Sequence, residues 1–171
     1  MRRSSVSTTD NGAPTTWLSQ DAYDRLQAEL NELIANRPAI AAEINARREE
    51  GDLRENGGYH AAREEQGKQE GRIRYLQEFL RTAHVGEAPK ADKVVPGTVV
   101  TIYFDDDPDD TETFLLGSRE IAATTDVTVY SPESALGKAI LGARTGQTVT
   151  YTAPSGADIK VTVVKFEPFG G

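Results

Sequence analysis

Two helical seams in this chain mirror one another. The first reads Tyr23, Leu26, Leu30, Leu33, Arg37, Ile40, Ile44, Arg47, and the second Tyr59, Ala62, Gln66, Gln69, Ile73, Leu76, Leu80, Ala83. Both advance in alternating steps of three and four, the a/d spacing of a coiled coil. Pairing Tyr23 with Ala83, Leu26 with Leu80, and so on inward to Arg47 with Tyr59, centres every pair on Leu53. An antiparallel helical hairpin folded at Leu53 requires that symmetry. With roughly 30 residues on each side, the hairpin is expected to extend about 45 Å. Ser19 offers an N-cap and Asp21 a first-turn acid for the opening helix. Pro38 removes one backbone donor, so a kink or break is expected there. The seam is Tyr/Leu/Ile far from the turn, but Arg37, Gln66, Gln69 and Arg47 enter it towards Leu53. The distal half is therefore expected to be wet and weakly held, suited to insertion into a confined polar space.

The hairpin is assigned to residues 17–84. Ahead of it, residues 1–16 are rich in Ser, Thr, Gly and Pro and read as a disordered tail. Residues 85–97, "VGEAPKADKVVPG", read as a linker. From 98 to 171 the period changes to that of strands. "TVVTIYF", "TFLLG", "DVTVY", "QTVTYT" and "IKVTVVKF" are separated by "DDDPDD", "GQ" and "PSG" turns. "PESALGKAILGA" stands apart as a short helix with Pro132 near its first turn. The fold class is α+β: a helical hairpin followed by a small domain on a twisted antiparallel sheet.

Composition narrows the function. The net charge of −8 opposes free binding to duplex nucleic acid, which needs a basic surface. Between Arg37 and Arg74, however, basic and acidic residues match in number, so a local contact with nucleic acid is confined to the central segment. The chain has no cysteine, which excludes disulfides and thiolate metal sites and makes the cytosol the expected compartment. No window is long and apolar enough for a membrane span, and the N-terminus lacks the apolar region of a secretory signal.

The chemistry sits at the fold point, in "EEGDLRENGGYH". Asp52 and Glu55 have the spacing of a capping box and could simply start the second helix. Gly57 and Gly58 argue for more, since each costs about 1 kcal/mol against alanine in a helix. Two carboxylates alone cannot satisfy Mg²⁺, which seeks octahedral oxygen coordination. His60 and His84 lie apart and read as surface residues. If the apex handles metal, it completes a site belonging to a partner.

At this point the residues resemble a known family. "EEGDLRENGGYHAAREEQGKQEGRI" is similar to the tip and second helix of the bacterial transcript-cleavage factors GreA and GreB, and "YSPESALGKAILGA" to a run in their C-terminal domain. The likeness extends from Trp17 to about Val164 and is closer to the GreA branch. It implies an antiparallel coiled coil plus an FKBP-like α+β domain. In the family, that domain docks at the rim of RNA polymerase's secondary channel and the coiled coil enters it. By position, Asp52 and Glu55 match the tip acids that hold a second, weakly bound Mg²⁺ in the polymerase active site and orient the attacking water. Arg48 and Arg63 match basic positions facing the nascent RNA 3′ segment, and Arg54, in a slot often filled by lysine or serine, is expected to contact a phosphate. Ser131, Pro132, Ser134, Leu136 and Gly137 fall in the docking motif. The resemblance implies a monomeric cytoplasmic accessory factor, with the hydrolytic activity belonging to the polymerase. It departs from the family at Gly57 and Gly58, which remove an acid and are expected to loosen the turn, and at Ala135, where proline is usual.

Two other readings stand beside it. One is a factor of the same fold that plugs the channel and inhibits, a role that does not need the acid pair. The other is a prolyl isomerase or chaperone built on the FKBP-like domain, which requires a pocket lined by Tyr103, Phe104, Phe114, Tyr130, Tyr151, Phe166 or Phe169. "DDDPDDTE" reads as a solvated hairpin loop.

Overall fold

The computed structural model describes residues 16–170. The tail expected at 1–16 lies, apart from Thr16, outside the described residues. Contacts divide the chain into two compact units, one being Tyr23–Thr82 and the other the residues before and after it.

Helix α1 (Gln20–Ala35) opens at Ser19, whose hydroxyl accepts the Ala22 N–H at 3.2 Å. It stops at Asn36, and α2 (Arg37–Arg48) begins with Pro38 in its first turn. A continuous helix would need a donor from residue 38 to the carbonyl four positions earlier, which proline lacks. The hydrogen-bond register nevertheless carries across the break, with Asn36 N–H on Glu32 O at 3.0 Å and Ile40 N–H on Asn36 O at 3.2 Å. Helix α3 (Gly57–Thr82) forms the second arm.

Pairs across the hairpin fit its antiparallel sense: moving from Glu29 to Asn36 and Arg37 on the first arm, the partner moves back from Arg72 to Gln69 and Glu70 on α3. Arg72 makes two bonds to Glu29, at 2.7 and 3.0 Å. Asn36 bonds Gln69 at 3.3 Å, and Arg37 makes two bonds of 2.9 Å to Glu70. Burial follows the seam. Leu26, Leu30, Ile73, Leu76 and Leu80 are buried in the basal half. The polar belt of Asn36, Arg37, Gln69 and Glu70 comes next. Beyond it, Ile40, Ile44 and Ala62 form a second small core against Tyr59. The distal half is thus not uniformly wet: a polar layer separates two apolar ones.

The second unit holds the chain on both sides of the hairpin. Strand β1 (Trp17–Leu18) pairs in parallel with β2 (His84–Val85). The Trp17 indole donates to Gly86 O at 3.1 Å and meets Phe169 edge-on at 5.8 Å. Residues 17–22 and 83–84, expected in the hairpin, therefore belong to this unit.

Its main sheet is built from β3 (Thr98–Phe104), β4 (Thr111–Leu116), β5 (Val129–Tyr130), β6 (Thr148–Thr152) and β7 (Asp158–Pro168), in the order β5-β4-β3-β7-β6. Neighbours are antiparallel except β4 and β5. The expectation of a wholly antiparallel sheet fails there because a 3-10 turn at Arg119–Thr124, anchored by buried Ile121, carries the chain back to run alongside β4. A bulge between Thr101 and Ile102 interrupts the β3–β7 register, the kind of irregularity that bends a sheet. Val100, Ile102, Phe114, Leu116, Val161 and Val163 face the core, closed by Leu136 and Ile140 of helix α4 (Ala135–Ile140). This α+β architecture matches the expected class. The helix begins later than expected: Ser134 is its cap, and Pro132 lies before it.

The segment 85–97 is not a free linker. Val94 is fully buried, donates to Ala143 O and accepts from Gly142 N–H, both at 2.8 Å. Its apolar side chain and both of its backbone groups are used by the core, which a composition rich in Ala, Pro and Lys does not reveal. Among the described residues, no helix is long and apolar enough to cross a membrane.

Candidate functional site

Helix α2 ends at Arg48, and the chain reverses through Gly51, whose φ of +137° is a conformation that favours glycine. Asp52 then starts a single 3-10 turn, Leu53–Glu55. Its carboxylate accepts the Arg54 N–H at 3.0 Å, and its carbonyl accepts the Glu55 N–H at 3.2 Å. Asp52 caps this turn and Glu55 is its last residue, so one short turn carries both acids. Both are exposed, and Glu55 has no side-chain partner among the described residues.

The capping-box reading of this pair does not hold for the long helix. Asp52 caps only the 3-10 turn. The cap of α3 is Asn56, whose Oδ1 accepts the Tyr59 N–H at 2.9 Å. The Asn56 Nδ2 also donates across the apex to the carbonyl of Arg47 in α2. Sequence reasoning missed this residue. The available signal was an asparagine, a preferred N-cap type, directly before the second helix.

The glycine pair behaves differently from its expected loosening role. Gly57 and Gly58 open α3 as regular helix. A Cβ on Gly57 would meet nothing within 4 Å, whereas one on Gly58 would lie 3.2 Å from the Arg47 side chain. Gly58 is where the two arms pass closely. Arg47 is also held by Glu43 at 3.9 Å and Glu50 at 3.6 Å. Arg48, Arg54 and Arg63 are exposed and make no ion pair among the described residues. The apex turn thus presents the carboxylates of Asp52 and Glu55 close in sequence to the guanidiniums of Arg48, Arg54 and Arg63, unpaired among the described residues.

Exposed hard-oxygen donors such as Asp52 and Glu55 suit Mg²⁺, but they supply only part of an octahedral shell. No group of three or more His, Cys, Asp or Glu able to hold a metal occurs among the described residues. "DDDPDD" is a tight turn, with Asp105 at φ +54° and Asp106 paired to Lys160 at 2.7 Å.

In the second unit, the motif from Ser131 to Gly137 is a helix start under tight constraint. The Ser134 hydroxyl accepts the Gly137 N–H at 3.0 Å and donates to Ser131 O at 2.7 Å. A Cβ on Gly137 would sit 2.0 Å from that same Ser131 carbonyl. Leu136 and Gly137 are buried, so they shape this surface from beneath, while Ser131, Pro132 and Ser134 remain partly accessible.

The aromatic residues needed for an isomerase pocket are spent on packing. Phe114 is fully buried, with Phe104, Tyr130, Tyr151 and Phe166 against the same core. The Tyr130 phenol donates to Glu112 at 2.8 Å, and that bond is the main reason its pKa is pushed up to about 12.

The described residues thus form a helical hairpin with exposed acidic and basic side chains at its apex and a separate α+β sheet unit. Residues 16–85 match the family model described as "Transcription elongation factor, N-terminal", and residues 88–168 match "Transcription elongation factor, GreA/GreB, C-term". The protein named transcription elongation factor GreA of Mycolicibacterium smegmatis is 63% identical over 158 residues, covering 91% of this chain and 96% of its own. Its namesake in Saccharopolyspora erythraea is 60% identical over 91% of this chain and 96% of its own. A crystal structure of GreA factor homolog 1 of Thermus thermophilus aligns over 90% of this chain and 99% of its own, at 24% identity and a TM-score of 0.41. The chain belongs to the GreA/GreB family of transcription elongation factors.

Proposed function

We propose that this protein stimulates the intrinsic cleavage of backtracked RNA by bacterial RNA polymerase and so rescues arrested complexes. The observation that carries this reading is the apex: Asp52 and Glu55 are exposed on one 3-10 turn at the end of a hairpin, and Glu55 has no internal partner. The hairpin enters the polymerase's secondary channel. The Ser131–Gly137 region, with Pro132 and the Ser131 and Ser134 hydroxyls at its surface, contributes to docking at the rim over the scaffold of Leu136 and Gly137.

In the polymerase active site, Asp52 and Glu55 supply the carboxylates missing from a Mg²⁺ shell, and polymerase groups supply the rest. When bound there, Mg²⁺ polarises the phosphodiester and lowers the pKa of the attacking water. The carboxylates also orient that water by accepting its hydrogen bonds. Arg48, Arg54 and Arg63 pair with phosphates of the extruded RNA 3′ segment, contacts that weaken with salt. The factor has no hydrolytic activity of its own and acts as a cytoplasmic monomer.

The test is a backtracked polymerase complex carrying labelled RNA and Mg²⁺. The intact protein is expected to accelerate shortening of the RNA. Asp52→Asn and Glu55→Gln are each expected to lose the acceleration by about a hundredfold while still competing for the complex. Binding that slows elongation without cleavage would instead establish a channel plug.

A further inference from the structure

One polar side chain at the apex spans the two arms. Asn56 bonds to both arms: its Oδ1 takes the Tyr59 N–H at 2.9 Å, and its Nδ2 reaches the Arg47 carbonyl, nine residues back on α2. The Arg47 carbonyl also receives the Glu50 N–H at 3.1 Å, so it ends one arm and anchors the other. Gly58 leaves the space through which the Arg47 side chain passes. Between the two ends of this bridge lies only the short loop that carries Asp52 and Glu55. Among the described residues, the loop's other restraints are internal or involve Arg47: Asp52 accepts from Arg54 and Glu55, and Glu50 bonds and pairs with Arg47.

We infer that Asn56 is a positioning residue which, by bridging the Arg47 carbonyl and the Tyr59 N–H, fixes where the Asp52–Glu55 turn sits on the end of the hairpin. The inference rests on the functional reading above for its consequence, but the bridge itself belongs to the isolated chain. An amide suits these two partners. Only a side chain with both an acceptor and a donor, at this length, can cap α3 and hold an α2 carbonyl at once. A serine hydroxyl can accept and donate, as at Ser134, but from one atom nearer the backbone, whereas the amide separates its acceptor from its donor. Aspartate can cap but would turn a carboxylate oxygen towards the Arg47 carbonyl.

The experiment compares the full chain with Asn56→Ser, which keeps a cap acceptor but shortens the side chain and removes the amide that reaches the Arg47 carbonyl. Amide exchange on the isolated proteins reads the bridge. Tyr59 is expected to stay protected in the variant while the Arg54 and Glu55 amides exchange faster. Cleavage of backtracked RNA reads the consequence. The variant is expected to bind the complex as well as the intact protein, to be about tenfold slower at saturation, and to need several-fold more Mg²⁺ for half its maximal rate, with excess Mg²⁺ restoring part of the loss. A general loss of structure would instead weaken binding and would not respond to Mg²⁺. Unchanged Arg54 and Glu55 exchange overturns the bridge, and faster exchange with an unchanged Mg²⁺ requirement overturns its positioning role. If the intact protein itself stimulates no cleavage, the functional reading has failed, and the exchange data then decide the bridge on their own.

Discussion

Asparagine, glycine and serine do the most constrained work in this molecule, and each does it through backbone groups. Asn56 joins two helix ends at the apex. Ser134 plays the corresponding part in the second unit, holding the Gly137 N–H and the Ser131 carbonyl together. Two substitutions separate the parts of that start. Gly137→Ala would put a carbon 2.0 Å from the Ser131 carbonyl. The backbone must move, and about 3 kcal/mol of stability should be lost, read as a lower urea midpoint of the Trp17 fluorescence transition. Ser134→Ala removes the cap and the bond to the Ser131 carbonyl without a backbone clash, and should cost about 1 kcal/mol in the same measurement. Equal costs would mean that the glycine contact relaxes freely. This motif is legible in sequence as a run, but its letters do not say which residues face a partner and which hold the helix start. Gly137 looks like a surface residue until the Ser131 carbonyl is placed beside it.

At the scale of elements, the hairpin is two apolar layers with a polar belt between them. The belt is held by side-chain pairs, and the Arg72–Glu29 pair beside it is partly shielded from solvent. The hydrogen bonds from Arg72 hold the Glu29 carboxyl below its ordinary value of 4.5, against a smaller opposing effect of burial. Arg37 does the same for Glu70. A carboxyl whose pKa is depressed on folding stabilises the folded state above its unfolded pKa, and that contribution is lost as pH falls through the lower folded value. The hairpin's helical signal in circular dichroism should therefore melt at lower temperature as pH drops from about 5 to about 3. Glu29→Gln should make that acid dependence shallower; an unchanged slope would show that this pair does not contribute. The periodic positions of the seam and the break at Pro38 can be read directly from the sequence, because helices are governed by contacts three and four residues apart. The belt's partners cannot, since Glu29 and Arg72 are separated by 43 positions and several other acids are equally spaced candidates.

The whole molecule consists of two units that divide the chain unevenly, one continuous and one assembled from both sides of it. The single tryptophan, Trp17, is nearly fully buried in the second unit, whereas most helix belongs to the first. Unfolding in urea should consequently not be two-state. The circular dichroism signal is expected to fall at lower urea than Trp17 fluorescence, because the hairpin's buried layers are small and interrupted; coincident transitions would show that the units unfold as one. The sequence by itself determined the antiparallel hairpin, the location of its fold at Leu53 and the presence of two carboxylates at the apex, all through short-range periodicity and turn chemistry. Only the tertiary structure decided that β1 pairs with β2, that Val94 belongs to the core, that β5 runs parallel to β4, and that Asn56 rather than Asp52 caps α3 and links the arms. Each of these depends on which hydrogen-bonding group or apolar surface arrives from elsewhere in the chain, and a backbone donor or acceptor carries no mark in the sequence of the partner that will satisfy it.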